Sequence, residues 1–266
     1  MKTFTQIIEE QRNDVEKLRS LAYKINSEKI TPNNKIIGAL LTGSVARGDA
    51  RIAPFGIKID LAIIVKNKSE IDLDKIFGIN KAENFPYHCV TFEEKVGIQI
   101  ELIEEYDLWK IREKHESDIY AKNESIILND KNGILKKWKD EYFNITNDQL
   151  KQRALRNYWR FCYLTGDYRL EKWQYRKAYI QINQNFNEAS ECYCNFLYCI
   201  NKQFIPRRDW LAYLTYELKI KPVKHESYMN NLYTAILSEE FILQKNDILK
   251  EIKNWMEEYC KDKSWL

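Results

Sequence analysis

The chain has 266 residues, of which 44% are hydrophobic and 30% charged, so it can bury a real core beneath a well-solvated surface. Its 42 Lys plus Arg nearly balance 39 Asp plus Glu, which excludes the strong basic excess of a protein that mainly coats nucleic acid. Length and composition therefore predict a globular protein of two ordinary domains.

The N-terminal segment is charged and lacks the apolar core of a signal peptide, and no stretch approaches the ~20 apolar residues of a membrane span. We therefore expect a cytoplasmic protein. Among the six cysteines, Cys192, Cys194 and Cys199 form a cluster, but on a helix Cys194 points away from the other two. We therefore interpret the cysteines as reduced, mostly buried thiols rather than as a zinc site.

In chain order, the N-terminal half begins with an amphipathic helix and continues with short apolar runs that predict strands. The helix is predicted over residues 5–26, the strands over 35–43, 58–65, 87–92, 97–103 and 125–128, and a second helix over 107–121. From Ile134 onward Tyr, Trp and Leu recur at helical spacing, which predicts four to six helices with caps at Asn147 and Ser238. The fold class is α+β: a mixed sheet with flanking helices in 1–140 and a helical bundle in 141–266.

The segment 40–65, LLTGSVARGDARIAPFGIKIDLAIIV, carries the chemically informative pattern. An apolar strand runs into Gly43-Ser44 and then into a short helical segment, so backbone N–H groups converge where an anion can bind and glycine permits close approach. Arg47, one turn later, can add a charge-assisted contact. The pattern predicts a phosphate site at Gly43, Ser44 and Arg47, with an ordinary strand-to-helix turn as the alternative.

The next strand contains Asp60, and 13 residues, 45 to 57, separate Ser44 from Lys58. This pattern resembles the nucleotidyltransferase superfamily, including antibiotic and minimal nucleotidyltransferases, in which a Gly-Gly or Gly-Ser turn precedes two strand acids flanking an apolar residue. Glu101, in the later strand, matches the third carboxylate of that family. The resemblance covers about residues 36–135 and implies a nucleotidyltransferase-like fold, ATP or another NTP as substrate, and Mg²⁺ held by Asp60 and Glu101.

The chain departs from the family pattern because Lys58 stands where the first acid of the pair is expected. An ammonium there removes an oxygen ligand that Mg²⁺ requires, so a two-metal site is not expected. Three interpretations of Lys58 stay open. It can act as a catalytic residue that contacts the triphosphate while Asp60 and Glu101 hold a single ion. It can form an ion pair with Asp60 in a site that has lost transferase activity. It can also be a solvated residue in an accidental match.

Other polar and aromatic residues carry weaker signals. Asp49 is expected to be a surface turn residue rather than a metal ligand, and His88 a hydrogen-bonded residue at the start of a strand. Tyr and Trp residues between 158 and 179 are expected to pack in a core rather than to form a stacking surface for an acceptor. The arginines among them, at positions 153, 156, 160, 169 and 176, are expected on a solvated or ion-paired helix face.

The resemblance and the site together predict a protein that binds an NTP and transfers a nucleoside monophosphate to a hydroxyl of a small, aminoglycoside-like acceptor or of a protein. The alternative is a catalytically degenerate nucleotide-binding or partner-binding protein of the same fold. Modification of RNA is disfavoured by the balanced charge. No general base can be assigned, and the acceptor and oligomeric state stay open.

Overall fold

The computed structural model describes residues 4–52, 56–77, 88–93, 96–113, 116–233 and 238–266. The chain divides into two compact units, Met1–Asn144 and Ile145–Leu266. The boundary predicted after residue 140 falls inside a helix that ends at Tyr142. The division between the units lies after the end of this helix.

The N-terminal unit contains five strands and five α-helices among its described residues. The strands are β1 (Ile36–Thr42), β2 (Ile57–Val65), β3 (His88–Glu93), β4 (Val96–Glu104) and β5 (Ile126–Asp130). The α-helices are α1 (Phe4–Ile25), α2 (Gly43–Arg47), α3 (Leu73–Phe77), α4 (Glu116–Asn123) and α5 (Ile134–Tyr142). A π-helical turn follows α1 at Asn26–Ile30, and 3-10 helices lie at Lys68–Glu70 and Glu105–Glu113.

The strands form one mixed sheet in the order β3-β4-β2-β1-β5. β2 pairs parallel with β4, whereas β1–β2, β1–β5 and β3–β4 are antiparallel pairs. The predicted strands are confirmed with shifts of one or two residues at their ends. The helix predicted over 107–121 is wrong as a single element, because a 3-10 helix and the separate helix α4 cover that region.

The two faces of the sheet pack against different elements. On one face, the α1 stripe of Val15, Leu18, Ala22 and Ile25 packs on apolar strand residues such as Leu61. On the other face, Leu40, Ala62 and Ile64 pack with Leu135, Trp138 and Leu108, which come from α5 and the longer 3-10 helix. Strand residues alternate between the faces, so the apolar β2 run supplies both cores.

The C-terminal unit is helical throughout its described residues. Its α-helices are α6 (Asn147–Leu164), α7 (Asp167–Tyr175), α8 (Tyr179–Ile200), α9 (Arg208–Leu211), α10 (His225–Leu232) and α11 (Glu239–Asp262), with a 3-10 helix at Tyr213–Glu217. From Ile134 onward the described residues thus hold seven α-helices, more than the four to six predicted, because short α9 has no sustained apolar period. In the described part of the chain no helix has the length and apolarity that crossing a membrane requires.

The caps of the helical unit differ in one place from the sequence prediction. Thr146, and not Asn147, caps α6: its hydroxyl accepts from the Gln149 backbone N–H while the Gln149 side chain accepts from the Thr146 N–H. This reciprocal arrangement satisfies two N–H groups at the start of the helix. Ser238 precedes α11 as predicted, although its side chain makes no capping hydrogen bond.

Several aromatic residues of α6 and α7 are exposed, so the prediction of core packing is wrong for most of them. Trp159, Tyr163, Tyr168 and Tyr175 are exposed, whereas Tyr158 is buried. The neighbouring arginines lie at the surface as expected: Arg160 pairs with Glu188 at 2.6 Å, and the Arg169 guanidinium lies 3.8 Å from the Tyr163 ring centroid. Arg160 and Arg169 both lie over the exposed Tyr163 ring, a contact that helical spacing alone does not indicate.

A buried histidine links three elements of the helical unit. Both ring nitrogens of His225 form hydrogen bonds: Nδ1 lies 2.8 Å from the Tyr193 hydroxyl and Nε2 lies 2.9 Å from the Thr215 hydroxyl. Because the Thr215 hydroxyl already donates to the Ala212 carbonyl oxygen at 2.6 Å, it accepts from Nε2–H, and Tyr193 donates to Nδ1. The neutral imidazole therefore satisfies every partner, and a second ring proton would leave the Tyr193 hydrogen unpartnered.

We expect the stability of the helical unit to fall as the pH is lowered from about 6.5 to about 4. Burial, with a smaller effect of Lys221, lowers the pKa of His225 from 6.5 to about 4, so the unfolded chain takes up this proton before the folded chain does. The free energy of unfolding falls by about 3 kcal/mol over this range, because each pH unit between the two pKa values contributes ~1.4 kcal/mol.

Proton NMR of the imidazole resonances checks this directly, because the chain has only three histidines and His225→Asn identifies the signal. We expect that signal to stay in its neutral position down to about pH 5. A titration midpoint close to the ordinary value for histidine would contradict the prediction.

Candidate functional site

The candidate site lies where β1 ends and α2 begins. Thr42 pairs with Asp60 of β2, and its hydroxyl donates to the Asp60 carbonyl oxygen at 3.3 Å. Gly43 follows with φ +67°, a conformation that side chains other than glycine rarely adopt. A Cβ on Gly43 would lie 1.9 Å from Asp60 Oδ2, so the Asp60 carboxylate packs directly against the glycine.

Helix α2 is short and is held from its C-terminal end by α1. It has five residues, and Gly48 ends it with φ 95°. Arg19 of α1 donates to the carbonyl oxygens of Val45 at 3.0 Å and Ala46 at 2.6 Å. Such charge-assisted bonds satisfy carbonyls that the helix leaves without partners. The turn at Gly43-Ser44 is thus positioned by α1, and a helix of this length contributes little dipole of its own.

Lys58, Asp60 and Glu101 share the face of the sheet that carries Ala62 and Ile64. Lys58 and Asp60 are two residues apart on β2, and Glu101 of β4 pairs with Ala62, two residues further along. The direct neighbour of Asp60 on β4 is Gln99. One half of this face is therefore apolar and packed under α5, and the half near Gly43 is charged.

Lys122 of α4 enters this charged half and pairs with Glu101. Its Nζ donates to Glu101 Oε2, and the lysine is 9% exposed. The lysine was not identified from the sequence, because the segment AKNES carries no motif and only the fold brings α4 to β4. Glu101, predicted as a metal ligand, thus has an ammonium partner.

The Asp60 carboxyl group has a raised pKa. Burial raises it from 3.8 to about 6, and the positive charges of Arg47, Lys58 and Lys122 oppose that rise in decreasing order. Three cations therefore act on one half-buried carboxylate, and burial still has the larger effect. Near neutral pH a small fraction of Asp60 already carries a proton.

Arg47 and Asp49 form a second ion pair beside this group. Arg47 Nη2 lies 3.1 Å from Asp49 Oδ2, and the Asp49 residue is 8% exposed. The expectation that Asp49 is a surface turn residue is wrong, since the residue is buried and its carboxylate pairs with Arg47. Burial raises the pKa of Asp49, and Arg47 opposes the rise. The Asp49 Oδ1 atom is buried without a hydrogen-bond partner among the described residues.

The donor set does not fit two divalent ions. Within the described ranges no three His, Cys, Asp or Glu side chains are grouped so that they could hold a metal ion. A magnesium ion on Asp60 and Glu101 would have to displace the Lys122 ammonium and would add charge beside Arg47 and Lys58. The single Mg²⁺ on Asp60 and Glu101 stays a prediction from the family resemblance.

The remaining residues singled out in the sequence lie elsewhere. The side chains of His88 and His115 are outside the described residues. The three clustered cysteines, Cys192, Cys194 and Cys199, are buried free thiols in α8.

Comparison with known proteins gives a distant structural similarity. No family model and no curated protein matches the chain. A solved structure of a nucleotidyltransferase-like protein from Exiguobacterium sibiricum 255-15 is similar with a TM-score of 0.40 and 10% sequence identity, over 90% of this chain and 75% of that chain. A similarity this distant does not establish a shared function.

Proposed function

We propose that the N-terminal unit binds the phosphate groups of a nucleotide such as ATP at the Gly43-Ser44 turn, with Arg47, Lys58 and Lys122 as the cationic contacts. The observation that carries the proposal is the convergence of these three cations on Asp60, whose carboxylate lies against Gly43 at the turn. Charged donors of this kind form the strong hydrogen bonds that phosphate oxygens accept.

The charge balance of this group favours an anion only when Asp60 is protonated. Arg47, Lys58 and Lys122 are matched by Asp49, Asp60 and Glu101, so the group is neutral while all three acids are ionised. A proton on Asp60 gives the whole group a net positive charge, and burial already raises the Asp60 pKa to about 6. Phosphate binding and proton uptake by Asp60 are therefore coupled.

Transfer of a nucleoside monophosphate to a hydroxyl of a small, aminoglycoside-like acceptor is the second candidate. It is favoured by one observation: Asp60 and Glu101 lie on the same face of adjacent strands. In that case the two carboxylates would hold a Mg²⁺ ion that neutralises triphosphate charge, while Lys58 and Arg47 would position the phosphate oxygens. The degenerate nucleotide-binding function needs neither the ion nor an acceptor.

Replacing Asp60 by Asn separates the two candidates. Without Mg²⁺, we expect D60N to bind ATP roughly fivefold tighter than the wild type at about pH 8, since the substitution removes a negative charge that faces the phosphates. We also expect the wild-type affinity to approach that of D60N as the pH falls through about 6. Isothermal titration calorimetry at several pH values measures both effects.

Asp140→Asn is the matched control, because it makes the same charge change at an exposed position on α5. Its affinity for ATP should equal that of the wild type. If D60N instead loses binding that depends on Mg²⁺, the metal-dependent transfer function is supported over phosphate binding by cations. Failure of the wild type to bind ATP with or without Mg²⁺ would reject both.

A further inference from the structure

The helical unit contains a cavity of about 370 Å³, within the range of small-molecule sites. Its lining comes from three helices of the unit and from Tyr233, which follows α10. Asn183, Asn187 and Glu191 lie at intervals of four on α8, Arg208 and Leu211 on α9, and Lys245 on α11. Residues spaced by four share one face of a helix, so α8 turns a polar stripe toward the cavity.

Lys245 is the unusual member of this lining. It is 3% exposed, and no hydrogen bond or ion pair joins it to any residue in the described part of the chain. Burial alone lowers the pKa of its amine, with no charged neighbour acting on it. An ammonium that is partly removed from bulk water and has no opposite charge beside it is costly, because its lost hydration is not replaced by a charged partner.

The other charges of the lining leave Lys245 uncompensated. Glu191 is held by Arg208, whose Nε donates to Glu191 Oε1 at 2.8 Å. The lining thus carries two cations and one carboxylate, and that carboxylate is engaged. Asn183 and Asn187 add amide groups that can donate to oxygen atoms and accept from hydroxyl groups.

We infer that this cavity binds a small polar molecule bearing a carboxylate or phosphate group, with the anion against Lys245 and hydrogen-bonding groups of the ligand against Asn183 and Asn187. The anion supplies the partner that Lys245 lacks, and the apolar Leu211 side chain packs against the body of the ligand. Arg208, with its side chain 82% exposed, lies where an arriving anion first meets a positive charge. None of the lining residues belongs to the N-terminal unit.

Hydrogen–deuterium exchange of the full chain tests the site, with malonate and inorganic phosphate as probes and sodium chloride keeping the ionic strength constant. We expect either anion, at tens of millimolar, to slow exchange at least about threefold in peptides covering residues 208–212 and 239–246. Peptides covering residues 43–49 report the N-terminal phosphate site independently, so failure at one site is distinguishable from failure at the other.

Lys245→Met keeps the length of the side chain and removes its charge, and we expect it to abolish the protection. The matched control is Lys250→Met on the same helix, where the lysine is exposed and pairs with Asp167; it should retain the protection. Asn187→Leu, which keeps Lys245, should weaken the protection. We also expect K245M to raise the Tm, because it removes an unpartnered buried charge.

Three results would overturn the inference. The first is protection by the anions that is unchanged in K245M, and the second is the absence of protection in the wild type with both probes. The third is a lower Tm for K245M, since that would mean that the ammonium already has a stabilising partner within the protein.

Discussion

Gly43→Ala is expected to weaken ATP binding by about tenfold or more and to destabilise the N-terminal unit by about 2–4 kcal/mol. The alanine would have to adopt φ +67°, and its Cβ would lie 1.9 Å from Asp60 Oδ2. The turn or the carboxylate must therefore move, and either movement disturbs the proposed phosphate contacts. Calorimetric titration with ATP and urea unfolding measure the two effects.

Gly133→Ala separates backbone strain from the clash with Asp60. Gly133 has a similar φ of +68°, but a Cβ there would meet nothing within 4 Å. We expect G133A to cost only about 1 kcal/mol and to leave ATP affinity unchanged. In an Asp60→Ala background, G43A should cost little more than G133A, because the oxygen that blocks the Cβ is gone. An equal cost of G43A in both backgrounds would contradict the packing explanation.

Trp138→Ala is expected to reduce the free energy of unfolding of the N-terminal unit by about 3–5 kcal/mol. Trp138 of α5 is 0% exposed, and its indole N–H donates to the Leu108 carbonyl oxygen at 2.8 Å. Its ring also meets Phe143 edge-on, with ring centroids 4.9 Å apart. The substitution leaves a cavity and an unpartnered carbonyl between α5 and the sheet. Urea unfolding followed by circular dichroism gives the loss.

Trp159→Ala provides the comparison, because Trp159 on α6 is 58% exposed. Its expected cost is below about 1 kcal/mol. Trp138→Phe should lie between the two, since it keeps much of the buried volume and loses the hydrogen bond to Leu108. Similar losses for W138A and W159A would show that the apolar half of the sheet face does not depend on Trp138.

The fold of the N-terminal unit was largely predictable from the sequence. The apolar runs of β1 and β2 are short, largely buried and bounded by turn residues, and this combination of length and flanking residues indicates buried strands. The antiparallel pairing of β1 and β2, which sets Thr42 opposite Asp60 and so brings Gly43 beside Asp60, was not predicted. The 3-10 helix at Glu105–Glu113 was not predicted, since its period lies close to that of an α-helix.

The charge environment of the candidate site was not predictable in the same way. Lys122 is far from Glu101 in the sequence, and its ion pair exists only because α4 packs over β4. Arg19 likewise reaches α2 only because α1 crosses that end of the sheet. No local pattern records such long-range contacts.

The sequence by itself determined the strand order along the chain, the glycine turn at Gly43 and the Lys at position 58 in place of an acid, since these depend on residue type and spacing. Tertiary structure alone decided which cations surround Asp60, how far its pKa rises and where Lys245 lies without a partner. Burial and charge–charge distances depend on residues that are remote in the chain. Their contributions to the free energy are larger than the differences in secondary-structure propensity between residue types.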